Sequence, residues 1–214
     1  MILAAGRGER MGALTTDCPK PLLEVGGEAL IERHLRRLAE SGTTEVVINL
    51  SYRGEQIRSR LGDGSRWNLT IEYSEEGEPP LETGGGVIRA LPRLGREPFL
   101  LINSDVLTDF DFSSLELDDA RGALVLVPRP AWRSQGDFGL DAQSLVTLSP
   151  PTYVFAGISM LHPELFEPYE PGRQPLKPIL DAAIERRSLR GEVHGGMWND
   201  VGTPQRLREV QRLV

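Results

Sequence analysis

The chain has 214 residues, enough for one domain with a well-buried core, and its hydrophobic (39%) and charged (26%) fractions are those of a globular protein. A net charge of −7 excludes a global field for nucleic acid, and no apolar run nears the roughly 18 residues needed to cross a bilayer. With no basic-then-apolar leader and a lone cysteine, Cys18, that has no internal partner, these features predict a cytoplasmic protein with neither nucleic-acid nor membrane partners.

Met1–Ala5 reads as a short buried strand running into Gly6-Arg7-Gly8-Glu9-Arg10-Met11. Apolar spacing at Leu30, Ile31, Leu35 and Leu38 predicts a helix over Glu28–Ser41, ended by Gly42. Strands are expected at Glu45–Leu50, Leu69–Tyr73 and Pro98–Asn103, with helices at Gly54–Leu61 and Gly85–Leu94 between them. The continuous apolar run Phe99–Ile102 fits a central strand buried on both faces. Repeated βαβ units imply a mostly parallel sheet flanked by helices. The second half changes character. Strands are expected at Gly122–Val127, Gly136–Leu148, Tyr153–Met160, Glu192–Val193 and Met197–Asn199, and a helix at Pro175–Arg187. Thr203 and Pro204 open the last helix as N-cap and first helical residue. The expected organisation is one α/β domain, with a nucleotide-binding half over residues 1–109 and a β-rich sugar-binding or lid half over 110–214.

A strand that ends in a glycine turn exposes backbone N–H groups and makes a natural phosphate cradle. Met11 stands where a dinucleotide fingerprint needs a third glycine, and no Gly-Lys-Ser/Thr follows, so neither an NAD site nor a P-loop is supported. A purely structural turn is the alternative. Of 24 lysines and arginines only Lys20 and Lys177 are lysine, and Lys20 sits between Pro19 and Pro21 as a compact charge suited to phosphate. Asp105 lies just past the most apolar strand, where ligands bind in open α/β sheets and a carboxylate can hold Mg²⁺ against a phosphate. Asp200 can supply a second carboxylate; capping or loop roles are the alternatives for both. Leu81-Glu82-Thr83-Gly84-Gly85-Gly86, read as a loop before a helix, permits close approach of a ligand or serves as a flexible connection. His34, His162 and His194 lack metal-site spacing and read as structural or exposed, and Trp67, Trp132 and Trp198 read as packing. No Gly-x-Ser-x-Gly elbow is present, so covalent catalysis is not indicated.

Together these segments resemble the sugar-phosphate nucleotidyltransferase family. The resemblance rests on Leu3-Ala4-Ala5-Gly6-Arg7-Gly8-Glu9-Arg10-Met11, Pro19-Lys20-Pro21, Asp105 and Trp198-Asn199-Asp200-Val201-Gly202-Thr203-Pro204, and spans nearly the whole chain. Tyr73–Glu78, Leu81–Gly86, Gly136–Leu140 and Phe155–Ser159 are similar to the branch that transfers a uridylyl group to N-acetylmuramate 1-phosphate in cell-wall recycling. Guanylyl- and thymidylyltransferases of the family carry variants of these segments and are the alternatives, and a non-catalytic nucleotide-sugar sensor is a remote one.

The resemblance implies a Rossmann-like sheet and a Mg²⁺-dependent attack of a sugar 1-phosphate on the α-phosphorus of a nucleoside triphosphate. It implies Lys20, Arg10 and Asp105 as catalytic residues and Asp105 and Asp200 as metal ligands. Ala5, Gly6, Gly8, Glu9, Arg10, Lys20, Glu76 and Gly84 would contact the nucleotide, and Glu82, Thr83, Asn103, Asp137, Gly139 and Gly157 the sugar. Small-molecule substrates and a monomer or small homo-oligomer are expected. Three departures stand out: the chain begins inside its first strand, Ala13 replaces a common proline, and Ser104 replaces a common glycine before the metal aspartate.

Overall fold

The computed structural model describes residues 1–213. Its elements in chain order are β1 (Ile2–Leu3), β2 (Glu24–Val25), β3 (Glu28–Ala29), α1 (Leu30–Glu40), β4 (Glu45–Leu50), α2 (Gly54–Leu61), β5 (Thr70–Glu75), α3 (Glu82–Leu94), β6 (Phe99–Asn103) and β7 (Val106–Thr108). There follow β8 (Gly122–Pro128), β9 (Gly139–Leu140), β10 (Val146–Thr147), β11 (Tyr153–Leu161), α4 (Leu176–Glu185), β12 (Leu189–Val193), β13 (Trp198–Asp200) and α5 (Pro204–Val210). No helix among the described residues is long and apolar enough to cross a membrane.

A seven-stranded sheet in the order β12-β8-β11-β6-β1-β4-β5 forms the centre. Only β11 runs against its neighbours; the other six strands share one direction. Helices cover both faces. Ile31, Leu35 and Leu38 of α1 and Ile57 and Leu61 of α2 pack with Ile2, Ile48 and Ile102 on one face. Val87, Ile88 and Ala90 of α3 and Ile179 and Leu180 of α4 pack with Val47, Leu101 and Leu124 on the other. Alternate residues of the same strand serve the two cores, so the central strands read as unbroken apolar runs.

The second half shares the central sheet with the first. Its strands β8, β11 and β12 continue the sheet of the first half, with β11 paired along β6 from Leu161↔Phe99 to Ile158↔Ile102. Without β11 the backbone of β6 would carry an open edge in the middle of the core. The expected strand over Gly136–Leu148 reduces to the short β9–β10 pair. Helix α1 starts at Leu30 instead of Glu28 because Glu28–Ala29 pair with Glu24–Val25 across Gly26-Gly27, whose φ angles of 59° and 79° suit a two-residue hairpin turn. Helix α3 starts at Glu82, so Gly84, Gly85 and Gly86 lie inside its first turns and not in a loop before it.

Candidate active site

From β1 the chain adds β4 and β5 on one side through α1 and α2, then returns through α3 on the opposite face to place β6 on the other side of β1. The carboxyl ends of β1, β4, β5 and β6 therefore splay apart at a topological switch point, where open α/β sheets bind ligands. A cleft of about 830 Å³ occupies that place. Its walls include Ala4, Ala5, Gly6, Gly8, Glu9, Arg10 and Lys20 from the first motif, Asn49, Glu76, Glu82 and Thr83 from the next units, and Asn103, Ser104 and Asp105 after β6.

The glycine turn is shaped by its own side-chain neighbours. Gly8 has φ 67°, and a Cβ there would stand 3.1 Å from Lys20 Cβ and 3.2 Å from Thr15 Cγ2. Thr15 Oγ1 donates to the Gly8 carbonyl at 3.1 Å, and Met11 N–H donates to the same carbonyl at 2.8 Å. Glycine at this position thus lets the turn close onto Lys20. Pro19 leads into the short helical turn Lys20–Leu22, which buries most of the lysine stem and leaves its ammonium on the Asp105 carboxylate. Lys177, in contrast, is an exposed helix residue paired with Asp181 at 2.7 Å.

β4 and β6 both carry isoleucine then asparagine near their ends, and the register sets Asn49 and Asn103 on either side of Leu3. Asn49 accepts from Ala4 N–H at 2.7 Å and donates to Glu76 Oε1 at 2.6 Å. Glu76 Oε2 accepts from Leu81 N–H at 2.8 Å. Asn103 lies beneath Gly157, which occupies a bulge in β11 with φ 74°. A Cβ at 157 would come within 2.7 Å of Asn103 Nδ2.

Asp105 sits in the turn between β6 and β7, and β7 pairs antiparallel with β13, so that Val201 N–H donates to the Asp105 carbonyl at 2.9 Å. That ladder brings Asp200 beside Asp105, far apart in sequence, on a second pocket of about 140 Å³. The two pockets share Arg10, Asn103 and Asp105. Asp200 accepts from Arg206 Nη1 at 2.9 Å, and the Arg206 guanidinium lies 3.5 Å from the centre of the Trp132 ring. Trp132 is therefore a half-exposed platform on the pocket rim and not a packing residue, while Trp198 lines the pocket and donates its indole N–H to the Ala156 carbonyl at 2.9 Å. Ser104 is buried on the wall of the larger cleft. Beneath Asp105, His34 of α1 is 2% exposed, and burial holds its imidazole well below the ordinary value, at about 4.

Three residues expected at the site lie outside both pocket walls. The Cα of Gly84 faces the carbonyls of Gln174 and Pro175, where a Cβ would stand 2.8 and 2.9 Å away. Neighbouring Gly85 would place a Cβ 2.1 Å from the Gly172 carbonyl. These glycines admit the chain's own 172–175 strap, which bonds to α3 through Gln174 N–H to Leu81 O (2.9 Å) and Gly85 N–H to Gln174 O (2.8 Å). Asp137 is held by Arg133 at 2.7 Å and accepts from Phe155 N–H at 3.0 Å, one layer behind the small pocket that Arg133 lines. Gly139 packs against the Pro150 carbonyl in β9. Sequence reasoning missed Asn49, Arg173 and Arg206. A polar residue closing the apolar run Val46-Val47-Ile48 was a signal for the first; Arg173, which pairs with Glu82 at 2.8 Å on the cleft rim, carried none.

The oxygen-only donor set of Asp105 and Asp200 suits a hard divalent cation. No cluster of three or more His, Cys, Asp or Glu that could hold a metal occurs among the described residues, and Mg²⁺ needs only one or two carboxylates when substrate phosphates and water complete its shell.

Comparison with known proteins identifies the family and the fold. Residues 1–144 match the nucleotidyl transferase family. The chain is 45% identical over 225 residues to the N-acetylmuramate alpha-1-phosphate uridylyltransferase of Neisseria meningitidis serogroup B, covering 100% of this chain and 97% of the relative. It is 32% identical over 234 residues to the enzyme of the same name from Caulobacter vibrioides, covering 100% and 96%. The fold matches a structure described as a glucose-1-phosphate thymidylyltransferase of Bacillus anthracis with sucrose, with a TM-score of 0.88 at 19% identity, covering 99% of this chain and 93% of that one. The chain belongs to the nucleotidyl transferase family.

Proposed function

We propose that this protein transfers a uridylyl group from UTP to N-acetylmuramate 1-phosphate, releasing pyrophosphate and forming UDP-N-acetylmuramate in cytoplasmic peptidoglycan recycling. The observation that carries the reading is the junction of two pockets at Arg10, Asn103 and Asp105 in a chain 45% identical to a uridylyltransferase of that name. In this reading the nucleotide lies in the larger cleft, lined mainly by residues 1–109, so that Glu82 and Thr83, expected on the sugar, stand on the nucleotide side. The sugar phosphate enters from the smaller pocket, to which β11 and β13 of the second half contribute.

A sugar phosphate is already largely ionised at neutral pH, with a second pKa of about 6, so its oxygen attacks the α-phosphorus with no general base. Catalysis then consists of positioning and charge neutralisation. The backbone of Gly6 and Gly8 cradles the triphosphate, Arg10 reaches its outer oxygens, and the Lys20 ammonium offsets charge at the reacting phosphate. Asp105 and Asp200 would hold Mg²⁺, which when bound offsets charge on the α-phosphate and on the incoming phosphate. Lys20 on Asp105 and Arg206 on Asp200 hold both carboxylates in place.

The test is pyrophosphate release with Mg²⁺, crossing UTP, dTTP and GTP with the 1-phosphates of N-acetylmuramate, glucose, N-acetylglucosamine and mannose. Turnover confined to UTP with the muramate phosphate is expected. Turnover with another pair keeps the chemistry and overturns the pathway, and no turnover from folded protein overturns the enzyme reading.

A further inference from the structure

The polar chain beneath the cleft has a fixed direction. Ala4 N–H can only donate, so the Asn49 oxygen faces it and the Asn49 amide nitrogen must face Glu76. Leu81 N–H approaches Glu76 from the other side. Residue 76 thus accepts two hydrogen bonds, one on each oxygen, and donates none, which an ionised carboxylate does and a side-chain amide cannot. Both partners are withdrawn from water, Asn49 at 3% and Glu76 at 9% exposure. Helix α3 makes room for them with Gly86, where a Cβ would stand 2.3 Å from Glu76 Oε1 and 2.8 Å from Asn49 Nδ2. The chain ties the ends of β1, β4 and β5 to the start of α3, the segments that present Ala4, Ala5, Glu82 and Thr83 to the cleft.

We infer that Asn49 is a positioning residue for the nucleoside end of the cleft: with Glu76 it sets the spacing between the Ala4–Ala5 backbone and the Leu81–Thr83 turn. The inference rests on the reading of the larger cleft as the nucleotide site. It gives Glu76 a different task from the direct nucleotide contact expected of it, because both its oxygens are committed to the protein. Such pre-set walls hold a ligand by cutting the cost of ordering them on binding.

The test reverses the polarity of one bond. Asn49→Asp faces a carboxylate with a carboxylate. Glu76→Gln leaves one acceptor for two donors. In the double variant, the carboxylate introduced at position 49 accepts from both Ala4 N–H and the amide introduced at position 76. The oxygen of that amide accepts from Leu81 N–H, so every bond is restored at unchanged net charge. UTP is titrated calorimetrically onto wild type, both single variants and the double variant, and KM is measured for each substrate. Each single substitution is expected to weaken UTP by about tenfold to a hundredfold, the effect of one broken buried hydrogen bond, with KM for the sugar phosphate unchanged. Asn49→Asp recovers affinity as pH falls, since one of the facing carboxylates takes up a proton. The double variant returns toward wild type.

Single variants that bind like wild type, or a double variant no better than the weaker single, overturn the inference. Amide hydrogen exchange on the wild type decides it independently of how the variants fold: Ala4 and Leu81 amides exchange slowly if the chain is formed, and rapid exchange at either overturns it. A wild type that binds dTTP or GTP in place of UTP overturns the uridylyl reading alone, and the same cycle run with that nucleotide still decides the role of Asn49.

Discussion

Lys20 and Asp105 form an ion pair across the junction of the two pockets, with both side chains largely withdrawn from water. The lysine arrives on a proline-flanked turn of the first motif, and the aspartate on the turn that ends β6. Among the described residues neither charge has another side-chain ion partner within reach, so each fixes the other.

Asp105→Asn keeps the size of the side chain and removes its charge. Turnover is expected to fall by about 10²- to 10³-fold, the order seen when one preorganised electrostatic contact to a transition state is removed. A melting temperature close to wild type in the same preparation separates this loss from unfolding. Near-normal turnover would remove Asp105 from the metal and catalytic roles.

Chelation by EDTA is expected to abolish pyrophosphate release, and Mg²⁺ to restore it. Asp200→Asn should raise the Mg²⁺ concentration needed for half-maximal rate, because only one carboxylate then remains at the junction. Full activity in excess EDTA would refute a divalent ion bound by these two residues.

Gly157→Ala places a methyl group against Asn103 at a φ of 74°. Backbone strain alone costs about 1–2 kcal/mol, and the contact with Asn103 adds to it. Thermal unfolding should show the loss of stability, and KM for the sugar phosphate should rise more than KM for UTP.

Gly85→Ala would drive a Cβ into the Gly172 carbonyl at 2.1 Å. The strap must move, at a cost of about 1–3 kcal/mol typical of overpacking. Limited proteolysis is expected to cut within 168–175 faster than in wild type, as the bonds between Leu81, Gln174 and Gly85 are lost.

His34 gives stability a pH dependence of known sign. Burial lowers its pKa from 6.5 to about 4, so the unfolded chain binds a proton that the folded chain does not between those values. Stability is complete above pH 6.5 and declines as pH falls toward 4, by about 3 kcal/mol for this group. Denaturation curves across that range should be less steeply pH-dependent for His34→Leu than for wild type. Parallel slopes would show that His34 does not titrate in this way.

The sequence by itself determined the alternation of strands and helices in the first half. Strands such as Glu45–Leu50 and helices such as Gly54–Leu61 follow from local periodicity and glycine punctuation, which act within a few residues. It also marked Gly8, Asp105 and Asp200, as glycine and charged residues at expected strand ends, and Lys20, as one of two lysines and set between two prolines. Pairing across the chain was decided only in the tertiary structure. The register of β1 between β4 and β6 brings Asn49 and Asn103 to the same level, and the β7–β13 ladder brings Asp200 to Asp105. The glycines of α3 looked like a ligand loop because sequence shows the missing Cβ and not what fills its space. In the folded protein the 172–175 strap and the Asn49–Glu76 pair fill it, through contacts that no local window contains.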